Sequence, residues 1–419
     1  MKILIAMDSF KGSLTSYDAG HAVCRGLEDA CKALKQDVPQ ISILPLADGG
    51  EGTVTALTQG LGGVYRNVKV RGPLKAQVEA IYGIIPATKP HEAPTAVIEI
   101  ASAVGLWLVP EKLRNPLKTT TYGIGQIILN ALERDCRTFL IGIGGSATND
   151  GGIGMLRALG YVFKDKMGRE TGVSGKDLNY IASVHTGNAH PLLKECTFRI
   201  ACDVNNPLTG PNGAAAVYGP QKGATPAIIK RLDRGLANLD RVVSKAKVKH
   251  IPPFPLPQTR QVTPPTCLNT EVLHQSVSPV DTPLDLKQVP GAGAAGGLGY
   301  AFLQFLNGRL EPGAQMIIDA IGLEKKIKEA DLIITGEGRL DQQTFMGKGP
   351  ATLARIAKTY GKPVIAFCGS IAEDATQQAD LLFDHSVAVT PPDGLLKDAS
   401  YHVRQAAAGF FTRNGVSLF

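Results

Sequence analysis

The sequence has few cysteines, and neither its cysteines nor its histidines are arranged as in a metal-binding or disulfide scaffold. Its 419 residues include seven cysteines, an odd number, scattered along the chain without a Cys-x-x-Cys pair. The eight histidines form no His-Glu-x-x-His motif and no close cluster. These absences argue against a disulfide framework and a zinc site, and they favour reduced thiols in a cytoplasmic protein.

Long hydrophobic runs and clusters of basic charge are missing as well. No apolar stretch approaches the roughly 20 residues that cross a bilayer, and the first one, residues 3–7, meets Asp8 too soon for a signal peptide. The formal net charge of +7 comes from basic residues that are spread singly. We therefore expect no membrane segment and no nucleic-acid partner, and the positive charge favours an anionic small molecule.

Two common nucleotide-binding motifs are also absent in functional form. Residues 291–296 have the spacing Gly-x-Gly-x-x-Gly, but residues 287–290, ending in proline, stand where that fingerprint requires a strand. No Gly-Lys pair has the upstream glycine and downstream Ser or Thr of a Walker A sequence. A dinucleotide-dependent oxidoreductase is thus disfavoured. Gly293 and Gly296 are interpreted as a turn that packs closely or binds the polar end of a substrate.

The pattern of apolar runs predicts an α/β protein. Residues 2–7 and 41–46 have the composition of buried strands, and a helical pattern begins between them at Ser16. Strands and helices alternate again near the other end, with strands predicted at 331–335, 363–368 and 385–389 and a helix at 351–360. Such alternation is typical of a parallel sheet covered by helices on both faces.

The middle of the chain has a different pattern. Residues 64–70 and 77–84 are predicted to form an antiparallel pair, followed by strands at 96–100, 138–143 and 198–202. Nine prolines between 252 and 290 predict an irregular segment at about 246–289. We predict a doubly wound (Rossmann-like or flavodoxin-like) parallel-sheet domain from both chain ends, with a mixed α/β domain inserted. The boundaries are 1–64 plus 290–419 for the former and 65–289 for the latter.

Three glycine-rich turns, residues 47–52, 142–150 and 336–341, carry carboxylates and each follow an apolar run. Glycine permits a tight turn and a close approach of backbone N–H groups to a ligand, and a helix that begins there offers N–H donors to an anion. Mg²⁺ in phosphoryl-transfer sites is held by one or two carboxylates plus phosphate oxygens. The three turns together predict a site for phosphates and Mg²⁺.

Candidate residues follow from this arrangement. The turns that follow residues 2–7 and 331–335 would both lie at the carboxyl ends of strands, where ligands bind in open α/β sheets. The carboxylates that could hold Mg²⁺ or accept a proton are Asp8, Asp48, Glu337 and Asp341. The cations that could neutralise a carboxylate or phosphate are Lys11, Arg339 and Lys348. Further substrate- or nucleotide-binding candidates are Ser9, Gly49, Gly50, Gly144, Gly145, Ser146, Thr148, Asn149, Asp150, Gly336 and Gly338.

Ordinary structural roles stand beside these interpretations. A strand-to-helix turn with a capping residue explains any one of the turns. Capping alone explains Thr148 or Asp150 but not the glycines in front of them, so ligand contact is the favoured interpretation of residues 142–150. Lys348, in a loop just before a helix, is favoured as a phosphate contact, with a solvated surface lysine as the alternative. Asp203, which follows another apolar strand, is a second candidate for the general base. A turn-forming aspartate before Asn-Asn-Pro is an equal alternative for it.

Taken together, these motifs resemble the bacterial-type glycerate kinase family. The resemblance implies ATP- and Mg²⁺-dependent phosphorylation of D-glycerate, commonly to the 2-phosphate, in a cleft between two α/β domains. Met7 departs from the family's usual proline, Gly12 from a common acidic residue, and the proline-rich segment is longer than usual. The matching stretches are residues 8–11, 47–52, 114–116 with 119–121, 141–152, 201–208, 219–224, 290–299 and 335–341 with Gln343, Gly347 and Lys348.

The resemblance also implies roles for the charged residues. Asp8 or Asp203 would be the general base, and Lys11, Arg339 and Lys348 would supply the positive charges. The metal or substrate ligands would be Asp48, Glu337 and Asp341. We expect 2-phosphoglycerate rather than 3-phosphoglycerate as product, and a homodimer is the candidate assembly. The alternative is a non-catalytic protein that binds a small hydroxy acid.

Overall fold

The protein is described by a computed structural model over residues 1–89, 91–246, 285–390 and 398–416. Cys267 and most of the predicted proline-rich segment lie outside these residues. The strands are β1 Lys2–Met7, β2 Gln40–Ile43, β3 Val64–Arg71, β4 Gln77–Ile85, β5 Thr95–Glu99, β6 Thr138–Gly142, β7 Val162–Lys164, β8 Ser183–His185, β9 Thr197–Ala201, β10 Arg309–Glu311, β11 Leu332–Gly336, β12 Arg339–Leu340, β13 Val364–Cys368, β14 Ser370–Ile371 and β15 His385–Ala388.

The α-helices differ widely in length. They are α1 Ser16–Leu34, α2 Thr53–Gly60, α3 Ala101–Val104, α4 Tyr122–Leu132, α5 Ile153–Ala158, α6 Ala214–Tyr218, α7 Pro226–Lys245, α8 Ala294–Leu306, α9 Gly313–Ala320, α10 Leu323–Glu329, α11 Gln342–Phe345, α12 Gly349–Thr359, α13 Thr376–Leu382 and α14 Ala399–Asn414. Three residues near the start of α8, 295–297, have non-helical backbone angles, so its regular part begins after them.

A five-stranded parallel sheet has the order β15-β13-β11-β1-β2. Its central strands β1 and β11 are apolar and buried almost throughout, as expected for strands covered on both faces. Ile5 and Ile334 are paired in register and pack with α1 and α14, whereas Leu4 and Ile333 pack with α9, α10 and α12 on the other face. The assigned β2 is shorter than predicted, although the N–H groups of Leu44 and Leu46 still donate to the carbonyl oxygens of Ile5 and Met7 at 2.9 and 2.8 Å.

A six-stranded mixed sheet has the order β10-β9-β6-β5-β4-β3. The predicted antiparallel pair is confirmed: β3 and β4 run antiparallel with Val64 opposite Ile84. β4 and β5 are also antiparallel, whereas the pairs from β5 to β10 are parallel. The protein is therefore a mixed α/β fold with parallel sheets.

One apolar core joins the two sheets. It contains Leu4 of the first sheet and Val97 and Leu140 of the second, with side chains of α2 and α9 between them. The opposite face of the six-stranded sheet packs against α4, α5, α7 and α8. Because α2 and α9 lie between the sheets, the turns that precede these helices lie where the two sheets meet.

Residues 290–311, which the predicted boundary assigns to the other domain, pack against or pair with the six-stranded sheet. Helix α8 lies in the core of that sheet, and β10 pairs with β9. Arg199 donates two hydrogen bonds to Glu311, at 2.9 and 2.8 Å. The apolar face of α8 determines this placement, since Leu298, Phe302 and Phe305 are buried there. The division into two domains stays a prediction, and these contacts favour a second boundary near residue 312.

The chain ends meet on one face of the five-stranded sheet. Helix α14 packs against α1 so closely that an ideal Cβ at Gly26 would lie 2.3 Å from the carbonyl oxygen of Arg404. The Arg404 guanidinium donates to Asp29 at 2.6 and 2.9 Å. In the described parts of the chain, no helix has both the length and the apolar character needed to span a membrane.

Candidate active site

The turn at residues 8–11, after β1, and the turn at residues 336–341, after β11, lie side by side. The backbone N–H of Asp8 donates to the carbonyl oxygen of Gly336 at 2.8 Å. Gly338 approaches the first turn closely, since an ideal Cβ there would lie 3.0 Å from the Cα of Phe10. Parallel pairing of β1 with β11 thus brings Asp8 and Glu337 to the same edge of the sheet.

The glycine-rich turn at residues 47–52 contacts the six-stranded sheet. An ideal Cβ at Gly142, the last residue of β6, would lie only 2.1 Å from the carbonyl oxygen of Gly49. Only glycine permits so close an approach of two backbones. Asp203, after β9, accepts a hydrogen bond from the N–H of Gly313 at 2.8 Å, which begins α9. The carboxyl ends of strands from both sheets therefore meet around Asp48.

Three cavities open at this junction. The first, here called the charged cavity, has a volume of about 380 Å³ and collects seven predicted site residues that carry charge: Asp8, Lys11, Asp48, Glu337, Arg339, Asp341 and Lys348. The glycine cavity, of about 310 Å³, is lined by the glycine turns that follow β2 and β6, by apolar and aromatic side chains and by several polar ones: Gly49, Gly50, Gly144, Gly145, Leu106, Ile143, Tyr218, Ser146, Lys11, Asp48, Asp203 and Lys222.

The third, here called the α1 cavity, has a volume of about 340 Å³ and lies at the start of α1, beside Asp8, Ser9 and Glu51. Lys11 lines all three cavities, and Asp48 lines the charged and glycine cavities. A ligand in one cavity could therefore meet a ligand in another beside Lys11 and Asp48.

The carboxylates are crowded and partly withdrawn from water. Burial raises the pKa of Asp8 to about 7, the charge of Asp48 adds to the rise, and the hydrogen bond from the Ser9 N–H at 2.6 Å opposes it. Burial likewise raises the pKa of Glu337, with further contributions from Asp341 and Asp48. A positive ligand or a shared proton would relieve this crowding.

Three more predicted residues have clear local roles. Asp203 is exposed as a residue, yet partial desolvation of its carboxyl, reinforced by Asp48, raises its pKa. Asp341 caps α11 by accepting from the N–H of Gln343 at 2.9 Å. Lys348 precedes α12, and its charge lowers the pKa of Glu337, opposing the burial.

Several predicted binding residues lie away from the cavities. Thr148, Asn149 and Asp150 are buried and line none of the three. Asp150 accepts from the N–H and hydroxyl of Thr121 at 2.8 and 2.9 Å and from the N–H groups of Gly152 and Gly154. It therefore holds the starts of α4 and α5 together. Capping, the alternative weighed for Asp150, describes this arrangement.

Gly293 and Gly296 are buried as well. An ideal Cβ at Gly293 would lie 2.2 Å from the carbonyl oxygen of Pro207, and one at Gly296 would lie 2.2 Å from that of Thr148. Close packing, one of the two interpretations of this motif, explains both glycines. The neighbouring Ala294 and Ala295 line the glycine cavity instead.

Lys222 is a buried residue of the glycine cavity that local motifs did not predict. This lysine is buried, with its Nζ donating to the hydroxyl of Ser146 at 3.0 Å and to the carbonyl oxygen of Thr148 at 2.7 Å. The one available signal was its place in the stretch 219–224, which contributed to the family resemblance. Spacing alone does not reveal it, because Lys222 and Ser146 are far apart in the chain.

The chain was compared with protein families and with known relatives. The family model described as "Glycerate kinase family" matches residues 3–411. A glycerate 2-kinase of Escherichia coli (strain K12) is 42% identical over 374 residues, covering 89% of this chain and 86% of the relative. A glycerate kinase of Halalkalibacterium halodurans is 39% identical over 387 residues, covering 92% and 88%.

A solved structure agrees with these matches. The crystal structure of a candidate glycerate kinase 2 from Salmonella typhimurium LT2 is 38% identical in sequence and superposes with a TM-score of 0.80. The match covers 98% of this chain and 97% of that chain. The similarity therefore includes both sheets and the junction between them.

Proposed function

The chain belongs to the glycerate kinase family, and we propose that it transfers the γ-phosphoryl group of ATP to the C2 hydroxyl of D-glycerate. It is an enzyme, a phosphotransferase that acts on an alcohol group. The observation that best supports the proposal is the meeting of the cavities at Lys11 and Asp48. Phosphoryl transfer depends mainly on positioning two substrates and neutralising charge, and such a junction supplies both.

We assign D-glycerate to the charged cavity. Its carboxylate would pair with Arg339 or Lys348, which line this cavity with Lys11. Arg339 is exposed on β12, so its guanidinium is available for a bidentate contact with a carboxylate. A small, highly polar acid suits a cavity whose lining is dominated by charged side chains.

ATP is assigned to the glycine cavity. Gly144 and Gly145 are exposed there, and they follow the carboxyl end of β6, as in other phosphate-binding turns. Leu106, Ile143 and Tyr218 supply apolar and aromatic surface for the base. In this orientation the γ-phosphate would lie near Lys11, which would stabilise the charge of the transferring group.

Asp8 is the better candidate for the general base. Its pKa of about 7 suits a group that must accept a proton near neutral pH, and it lines the cavity assigned to D-glycerate. Asp203 lies on the glycine cavity instead, next to the proposed nucleotide. The backbone N–H of Ser9 donates to Oδ1 of Asp8, which leaves Oδ2 free of this hydrogen bond.

The carboxylates of the charged cavity fit Mg²⁺. Among the described residues no three His, Cys, Asp or Glu side chains lie close enough to hold a metal alone. Mg²⁺ is usually bound by one or two carboxylates plus phosphate oxygens, and Asp48 lines both of the cavities that we assign to the substrates. Asp48 would be the principal ligand, with Glu337 and Asp341 as further candidates. When bound, Mg²⁺ would neutralise charge on the β- and γ-phosphates.

A coupled assay of ADP release, with the product analysed by phosphorus NMR, tests the function. We expect release that requires D-glycerate, ATP and Mg²⁺, and a product whose phosphorus signal is split by the single C2 proton. Splitting by two protons would indicate C3 instead. Binding of D-glycerate without ADP release by folded protein would support the non-catalytic alternative. The possible homodimer and the cytoplasmic location stay predictions from the sequence.

A further inference from the structure

Lys222 differs from the other lysines of the described residues in being buried. It is 3% exposed and ends a short 3-10 turn, Pro220–Lys222, that follows α6. A protonated lysine has three N–H donors, and Ser146 and Thr148 accept two of them. Both acceptors lie on the turn after β6, so one ammonium group holds two points of that turn.

The turn is also held from the side of α3. The N–H of Leu106 donates to the carbonyl oxygen of Gly145 at 2.8 Å, and the N–H of Ala147 donates to that of Val104 at 2.8 Å. Gly145 has a φ of +69°, which glycine adopts without strain. The turn is thus fixed from both sides, while Gly144 and Gly145 face the glycine cavity.

Ser146 connects Lys222 to this cavity. Its hydroxyl oxygen accepts from the ammonium group, which leaves the hydroxyl proton available for a further acceptor. Both residues line the glycine cavity. An anionic oxygen there would meet a serine donor with a positive charge directly behind it. Such charge-assisted hydrogen bonds are stronger than neutral ones.

We propose that Lys222 is a positioning residue for the nucleotide phosphates, acting through Ser146 and through the shape of the turn after β6. The proposal rests on the assignment of ATP to the glycine cavity. In this proposal Lys222 supports the turn after β6 from its buried side. The acceptors that Lys222 contacts directly are neutral, and the nearby carboxylate of Asp150 offsets its burial only in part, so an anionic ligand would stabilise the charged lysine further.

The charge of Lys222 depends on its surroundings. Burial lowers its pKa to about 7, and the charge of Asp150 opposes this effect. A bound phosphate would raise the pKa again, so nucleotide binding should be accompanied by proton uptake above about pH 7. The other titratable or charged groups near it, or lining the same cavity, are Lys11, Asp48, Arg114, Cys202, Asp203 and Tyr218.

The test is calorimetric binding of Mg-ADP between about pH 7 and about pH 9. For the unchanged protein we expect the affinity to fall as pH rises. Lys222→Met should weaken binding about 10- to 100-fold and lose most of that pH dependence, since a charged hydrogen bond is removed. The KM for ATP should rise accordingly, with less than about a twofold change in the KM for D-glycerate. Lys230→Met, an exposed lysine on α7, is the matched control.

Ser146→Ala keeps the proposal testable if Lys222→Met does not fold, which circular dichroism would reveal. It should weaken Mg-ADP binding about tenfold while leaving the lysine in place. Unchanged affinity in both variants, or equal pH dependence in Lys222→Met and the unchanged protein, would overturn the role of Lys222. If the unchanged protein binds no Mg-ADP, the assignment of ATP to this site fails first. D-glycerate-dependent ADP release by the unchanged protein tests the proposed function on its own, so a failure of the role of Lys222 can be told apart from a failure of that function.

Discussion

The carbonyl oxygen of Gly49 lies so close to Gly142 that even a methyl group at Gly142 would approach it to 2.1 Å. Gly142 ends β6 of the six-stranded sheet, whereas Gly49 belongs to the turn that carries Asp48 after the first βαβ unit. Asp48, next to Gly49 in this turn, lines both the charged and the glycine cavities. The geometry of the proposed transfer site thus depends on two positions without side chains.

Gly142→Ala should therefore displace the Asp48 turn. We expect the free energy of unfolding to fall by about 2 to 3 kcal/mol, since overpacking a buried position typically costs about 1 to 3 kcal/mol. Urea unfolding and ADP release would measure the two effects. Gly187→Ala is a suitable control because no atom lies within 4 Å of its ideal Cβ. Equal stability of the two variants would contradict the proposed role of the contact.

Asp8→Asn should abolish most activity while sparing substrate binding. Loss of a general base typically costs about 10²- to 10⁴-fold in rate. In the unchanged enzyme, kcat/KM for D-glycerate should fall about tenfold per pH unit below about pH 7, because Asp8 must be deprotonated to accept the proton and its pKa is about 7. The pH profile of Asp203→Asn is the comparison. If that variant, and not Asp8→Asn, loses the acid limb, Asp203 is the base.

Arg339→Met should raise the KM for D-glycerate about 10- to 100-fold, because it removes a charged partner of the substrate carboxylate. The KM for ATP should change much less. Steady-state kinetics with each substrate varied would separate the two. Arg234→Met, an exposed arginine on α7, should leave both values unchanged. A selective rise in the KM for ATP would place Arg339 on the nucleotide instead.

Removal of divalent metal by EDTA should stop ADP release, and added Mg²⁺ should restore it. Asp48→Asn should require about tenfold more Mg²⁺ for half-maximal activity, because one ligand charge is lost next to the phosphates. Asp37→Asn, an exposed loop position, is the control. An unchanged Mg²⁺ requirement in Asp48→Asn would move the metal toward Glu337 and Asp341.

Local sequence patterns predicted the longer strands and the residues that line the charged cavity. Residues 2–7 and 331–335 are apolar runs that end in polar turns, and they form adjacent parallel strands. Their turns, with Asp8 and Glu337, line one cavity as the position at strand ends predicted. The predicted hairpin of β3 and β4 was recovered for the same reason, since alternation and a Gly-Pro turn are local features.

Residues 148–150 and 290–311 were harder to interpret. Thr148, Asn149 and Asp150 are residue types that often bind ligands, yet they form the buried end of the turn at residues 142–150. An aspartate that caps a helix and one that binds a ligand can occur in the same local sequence pattern, and only their burial distinguishes them. The prolines before residue 291 suggested a boundary there, but the apolar face of α8 packs on the six-stranded sheet.

By itself the sequence determined the positions of the longer strands, the glycine-rich turns and the family, because each depends on neighbouring residues or on a series of motifs. The tertiary structure decided which turns meet, that Lys11 and Asp48 lie at the junction of the cavities, and that Lys222 supports Ser146. Desolvation and charge proximity arise between residues distant in the chain. The pKa values of buried polar groups are therefore shifted only when the two sheets pack together.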